Sequence, residues 1–174
     1  MTQAALHLLV NVDVRRVSKP DFTRKTMIST LTMPPLTLMT AEHNPGGGTG
    51  AVNFTNPRVE APEPALTAKG IDTEIFTGFG EVDRYVFAAS YKKRGSGGGG
   101  LVPARAIIEG AVTTWEADES DPAEMQGSTH GFNEVTHYEL VVAGDELFYW
   151  DFWEGVLRMG GIDLTAARRS ALGA

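Results

Sequence analysis

The 174 residues include no cysteine. That excludes a disulfide framework and thiolate chemistry, and it leaves few ways to build a zinc site. Histidine is scarce too. His7, His43, His130 and His137 are the full set, and no two share the spacing of a helical metal pair. No serine stands in a G-x-S-x-G elbow, so a Ser-His-Asp nucleophile cannot be assembled from spacing. His137 and Glu139 lie two apart, which on a strand is the polar face of a hairpin rather than an acid–base pair. No catalytic, cofactor-binding or metal-ligating residue is nominated, no cofactor is expected, and an enzyme is not the reading. Long apolar runs are also missing. The opening MTQAALHLLVNV has no basic segment ahead of its apolar residues and no small-residue cleavage site, and it is too short to cross a bilayer. It reads as neither signal peptide nor anchor, so the expectation is synthesis in the cytoplasm and no membrane partner.

Cations run short in the second part of the chain. Residues 1–100 carry 11 Lys+Arg against 9 Asp+Glu, whereas residues 101–174 carry 4 against 13. The formal net charge is −7. Gripping nucleic acid by its phosphates requires clustered Lys and Arg, and this balance argues against it. A solvated acidic face fits, and so does a surface that passes nucleic acid without holding it.

Glycine and proline, by contrast, are plentiful: 20 and 9 residues divide the chain into short extended pieces. Few runs can carry a long helix, and the composition fits a mainly β domain with long loops. The glycine runs are not phosphate loops. PGGGTG lacks a Gly-Lys-Ser/Thr ending, and GSGGGG follows Lys92, Lys93 and Arg94 instead of leading into a lysine and a helix. The length predicts one domain over 1–174 with a core large enough to need no staples.

Alternation predicts a first strand over 6–17 and a polar arm over 18–30, so that 1–30 is an N-terminal strand and arm. Pro34-Pro35 breaks the next run, with a strand resuming near Leu36. Short strands are expected at 51–54 and 65–68, with the proline-rich 56–64 as a stiff connection. A short helix is expected within 70–80, capped by Asp72, with Ile71 and Ile75 on one face. Residues 84–91 and 101–115 form a hairpin with a bulge at Gly110 and a flexible tip over 92–100. Residues 117–132 read as an acidic loop. The final helix, 163–172, has Asp163 as N-cap and an alanine-rich stripe too narrow to hold alone.

Residues 136–173 hold the densest aromatic stretch. A three-residue loop, Gly144 to Glu146, puts Tyr138, Leu140, Val142, Phe148, Trp150 and Phe152 on one face, at the cost of Glu139 opposite Asp151. A two-residue loop at Gly144-Asp145 scatters them.

Taken in order, several motifs resemble the major tail tube proteins of contractile-tailed bacteriophages. HYELVVAGDELFYWDF followed by GGIDLTAARRSALG is similar to the family's closing hairpin and terminal helix. LTMPPLTLMTAEHNPGGG, GIDTEIFTGFG and RYVFAASYKKRGSGGGG…ARAIIEG resemble its earlier segments, so the likeness runs from about Leu31 to Gly173. The resemblance implies a β-sandwich or barrel-like fold with one or two short helices, contributing strands to a β-barrel shared across a ring. It implies hexameric rings stacked into a hollow tube inside a contractile sheath, with DNA delivered through the lumen. The implied partners are other copies of the chain, the tail sheath protein, baseplate and tail terminator proteins, and DNA passing without specific binding; the implied location is the virion tail. With the net charge, it suggests an acidic lumen. Contacts between subunits or rings are then expected from 1–30, 92–100 and 117–132, with Arg24, Lys25, Lys92, Lys93, Arg94, Arg168 and Arg169 as candidates. The alternatives are a tube subunit of a type VI secretion system or a phage-tail-like bacteriocin, and a monomeric β-sandwich that binds a ligand.

Overall fold

A computed structural model describes residues 5–95 and 99–173. The chain is mainly β. Its strands are β1 (Leu6–Arg16), β2 (Ile28–Thr32), β3 (Leu38–His43), β4 (Val52–Val59), β5 (Ala65–Lys69) and β6 (Val82–Arg94). They continue with β7 (Leu101–Ala117), β8 (Gly127–Val142), β9 (Asp145–Asp151), β10 (Val156–Met159) and β11 (Ile162–Asp163). One 3-10 turn (Thr73–Phe76) and one helix, α1 (Ala166–Ala171), complete the described elements.

A nine-stranded antiparallel sheet runs β1-β6-β7-β8-β9-β10-β11, with β5 on the same strand β8 and β2 outside it. The long strands alternate as their sequence requires. Tyr85 and Phe87 on β6, Ala104, Ala106 and Ile108 on β7, and Tyr138 on β8 all face the core. Leu31 and Met33 lie against Phe87, Ala106 and Leu140, so the β2–β5 pair covers this face. Phe132 packs edge-on against Tyr85 at 4.9 Å and against Phe87 at 5.7 Å. The second sheet, β3-β4, is a mostly exposed hairpin.

Several local expectations are corrected. The stiff connection over 56–64 begins as strand, because β4 continues to Val59. The pairing jumps from Leu38↔Val59 to Thr40↔Thr55, and that bulge takes up Pro57, which has no N–H to give a ladder. The acidic loop ends at Gln126 rather than Phe132, since β8 begins at Gly127 and pairs there with both β5 and β7. The central helix is a single 3-10 turn. Asp72 caps it through Glu74 N, Ile75 is buried, and Ile71 faces solvent instead of sharing its face. At the C terminus the helix is shorter than 163–172. Asp163 lies in β11, Thr165 is the N-cap residue without a side-chain cap bond, and no residue of α1 is buried. Gly110 does sit at a register shift, between Glu109 and Ala111 of β7 against β8.

The β8–β9 hairpin has a different turn. Ala143 and Gly144 both have positive φ, the arrangement of a two-residue type I′ turn. Leu147 is then bulged out, since Val141 pairs with Glu146 and Leu140 with Phe148. The bulge restores the parity that a two-residue loop alone would lose. Tyr138 stands opposite Trp150 and Leu140 opposite Phe148, while Glu139 meets Tyr149 and Asp151 meets His137. The like-charge pair expected from a three-residue loop is therefore absent.

Candidate assembly surface

The sheet does not close on itself. β1 is an edge, and β2 returns near it without pairing. Between them lies an open cleft of about 790 Å³, lined by residues such as Val10, Val12, Ile28 and Ala88. Beyond the row Val12–Ala89–Ala104–Val142, the strands β1, β6 and β7 continue as a three-stranded tip. Among the described residues nothing covers its leucines: Leu6 is 76% exposed, and Leu8, Leu9 and Leu101 are exposed as well. An uncovered apolar edge of this length is a template for pairing with another chain. Lys92, Lys93 and Arg94 are on the same tip and make no ion pair among the described residues. The tip expected over 92–100 is described except for Ser96–Gly98, which lie outside the described residues.

At the far end of β7, Phe76 and Trp115 stack edge-on at 5.5 Å. With Ile71 they line an apolar hollow of about 270 Å³. Glu116 on β7 and Glu119, Asp121 and Glu124 in the loop that follows it are all exposed.

The face of β6, β7 and β8 turned away from the core carries Arg84, Arg105, Glu109 and Glu139. Arg105, Ile107 and Glu109 alternate with buried neighbours on β7. Arg84 donates to Glu109 at 2.9 Å. These four charges cancel, and the same face of β6 continues to Lys92 and Arg94 at the tip, so the acidic excess of the chain sits in its loops and at its end, not on this face.

The nominated residues divide. Arg24 is a correction: expected at a contact surface, it is 1% exposed and ion-paired to the buried Asp72. The same carboxylate caps the 3-10 turn, so Arg24 ties the arm to the core of its own chain. Its backbone N–H donates to Asp13 at 2.8 Å. Burial pushes the Asp13 carboxyl upward, but hydrogen bonds from Arg15, Thr23 and this N–H outweigh it and hold the pKa below the ordinary value. Lys25 is exposed beside it. Arg169 is also committed internally, donating to Asp163 at 2.5 Å and to Thr165 at 2.8 Å. Among the described residues, the Arg168 side chain donates only to the Pro57 carbonyl, at 3.5 Å.

Of the hairpin set, Tyr138 and Phe148 are buried, and Leu140 and Trp150 are half-buried against the core. Val142 is half-buried near the turn. Phe152 departs from the set. It lies past the end of β9, 59% exposed, stacked on the still more exposed Trp153 at 5.0 Å. His137 Nδ1 donates to the Asp151 carboxylate across the hairpin at 3.0 Å. Arg158, missed from sequence, bridges Glu146 at 2.7 Å and lies over the Tyr149 ring at 3.8 Å. The guanidinium holds the Glu146 carboxyl below its ordinary pKa. Only the β9–β10 pairing of Arg158 with Tyr149 brings these together, and no local pattern announces it. Among the described residues, no group of three or more His, Asp and Glu is placed to hold a metal ion.

Comparison with known proteins adds a family. Residues 22–173 match the family described as phage tail tube protein FII. The chain belongs to that family. Its role is a structural one in the tail tube, within a tail assembly. As a phage tail tube protein it is similar in fold to a chain of the sheath/tube terminator of an extracellular contractile injection system, PVC, in the extended state. That match has 10% identity, covers 75% of this chain and 91% of that one, and has a TM-score of 0.50. A chain of the anti-feeding prophage baseplate matches with 12% identity over 82% of this chain and 98% of that one, at a TM-score of 0.48. No curated protein matches the chain.

Proposed function

We propose that copies of this chain form hexameric rings that stack into the inner tube of a contractile phage tail, through which DNA is delivered. The observation that carries this reading is the open edge of β1 on a sheet whose long strands end in an uncovered apolar tip. Pairing that edge with a strand of the next subunit satisfies its backbone groups, and a closed ring leaves no edge behind. Closed cyclic symmetry fits a contact that joins two different edges of one protein.

The face bearing Arg84, Arg105, Glu109 and Glu139 is the surface we assign to the lumen. Away from the tip, where Lys92 and Arg94 extend the β6 face, its charges balance, so the lumen we propose is near-neutral rather than acidic. What passage requires is the absence of clustered cations that would hold phosphate, and a balanced surface meets that need. The sheath, baseplate and tail terminator proteins are the proposed neighbours in the virion, outside and at the ends of the tube. A chain whose tip and edge stay open gains from such neighbours, whereas the reading as a monomeric ligand-binding module leaves the same surface bare.

Size-exclusion chromatography with negative-stain microscopy of the purified protein tests the assembly. Rings and hollow tubes are the expected result, and monomers alone at high concentration would refute it. Genes for a capsid and a terminase beside this one distinguish a genome-carrying tail from a type VI or bacteriocin tube.

A further inference from the structure

Strand β7 connects two ends of opposite character. At its start, Leu101 sits on the tip with Leu6, Leu8, Lys92, Lys93 and Arg94, and no carboxylate lies among residues 6–11, 90–95 and 99–104. At its finish, Trp115 and Ala117 border the apolar hollow formed with Ile71 and Phe76, and the exposed Glu116, Glu119, Asp121 and Glu124 belong to this end of β7 and the loop that follows it, where, among the described residues, the one nearby lysine, Lys69, is paired with Asp118. Seventeen residues of strand separate the two ends by about 50 Å. One end is apolar with a basic rim, and the other is apolar with an acidic rim.

We infer that copies meet head to tail through these two ends, the leucine tip of one chain seated on the Phe76–Trp115 hollow of the next. This inference rests on the proposed stacking of rings and gives that stacking its contact and its direction. A tip placed on another tip sets Lys92, Lys93 and Arg94 against themselves, and two acidic ends repel in the same way. Only the tip-to-hollow pairing covers apolar surface on both partners while joining unlike charges. The contact uses two different patches, so it does not close on itself and propagates along one axis. Repeated around a ring, it acts as several weak contacts in parallel, which lengthens an assembly without any single contact being tight. Its charged rim is exposed, so added salt weakens it.

The absence of native cysteine makes cross-linking a direct test. Two full-length variants, Leu101→Cys and Ala117→Cys, are mixed under mild oxidation. The expected product is the mixed dimer, with little of either homodimer. Carrying Lys92→Glu, Lys93→Glu and Arg94→Glu on the Leu101→Cys chain removes that product. Adding Glu119→Lys, Asp121→Lys and Glu124→Lys to the Ala117→Cys chain restores it. Leu101→Cys homodimers as the main species, or a mixed yield unmoved by charge reversal, overturn the inference. Rings seen by microscopy with no mixed product overturn it while leaving the ring reading intact, and monomers with no mixed product end both.

Discussion

Arg24 and Asp72 form an ion pair with almost no access to water, with side-chain exposures of 1% and 0%. Desolvating two charges is costly, and removing one partner strands the other, so Arg24→Ala is expected to cost about 3–5 kcal/mol of folding stability. Urea denaturation of the monomer checks this, and a loss below 1 kcal/mol would contradict the assigned role. His130 lies close to this pair, fully buried, with Nε2 3.1 Å from Ser128 Oγ. Burial holds its pKa below the ordinary 6.5, opposed by the Asp72 charge and assisted by that of Arg24. The folded protein therefore refuses a proton that the unfolded chain takes up as pH falls through about 6.5, so stability declines from there toward acid. The depressed carboxylates Asp13, Asp83 and Asp151 lose their contribution only at lower pH, below the ordinary carboxylate value. A His130→Gln variant should show a flatter fall in urea midpoint between pH 7 and pH 5, and an unchanged slope would exclude His130 as the cause. Neither Arg24 nor His130 announces itself in the sequence, where one looks like part of a basic arm and the other like part of an acidic loop.

At the scale of elements, the β8–β9 hairpin shows how a correct facing can accompany an incorrect register. Tyr138, Leu140, Phe148 and Trp150 share a face in either register, because a shift of two residues preserves parity. The turn itself depended on Ala143 accepting positive φ, which its residue type does not advertise. The facing predicts that Trp150→Asp yields insoluble protein, since the carboxylate would be pressed against Tyr138 and the core. Glu139→Gln, on the other face, is expected to stay within about 0.5 kcal/mol of the parent. Phe152→Ser should likewise leave the fold intact, contrary to its place in the expected hairpin set. Soluble, folded Trp150→Asp protein by circular dichroism would refute the facing. The start of β8 offers a separate test. A Cβ on Gly127 would lie 2.8 Å from the Ala68 carbonyl oxygen and 2.5 Å from Asp118 Oδ2, so Gly127→Ala is expected to cost about 1–3 kcal/mol by thermal melting.

For the whole molecule, the open edge is the feature that separates folding from assembly. Leu8 and Val10 are exposed on β1, outside the core cluster. The double variant Leu8→Lys, Val10→Lys should therefore keep the melting temperature of the monomer within a few degrees while losing rings, because charges on an edge strand block pairing with another chain. Rings that persist in this variant would move the ring contact away from β1. The closed ring and the open stack then use different surfaces of one chain: edge pairing runs sideways, and the tip and hollow lie at the two ends of the strands.

Composition and alternation by themselves determined that the chain is mainly β, that Tyr138, Leu140, Phe148 and Trp150 share one face, and that Gly110 marks a bulge. These follow from local rules: side chains alternate along a strand, and a missing Cβ relieves crowding at a bulge. Tertiary structure alone decided that β8 begins at Gly127, that Arg24 is an internal anchor and not a contact residue, and that Arg158 locks onto Glu146 and Tyr149. It also decided which ends of the sheet carry the unlike charges. Each of these depends on residues distant along the chain sharing one low-dielectric neighbourhood or one end of a sheet, and strand order, which no local period encodes, sets that distance.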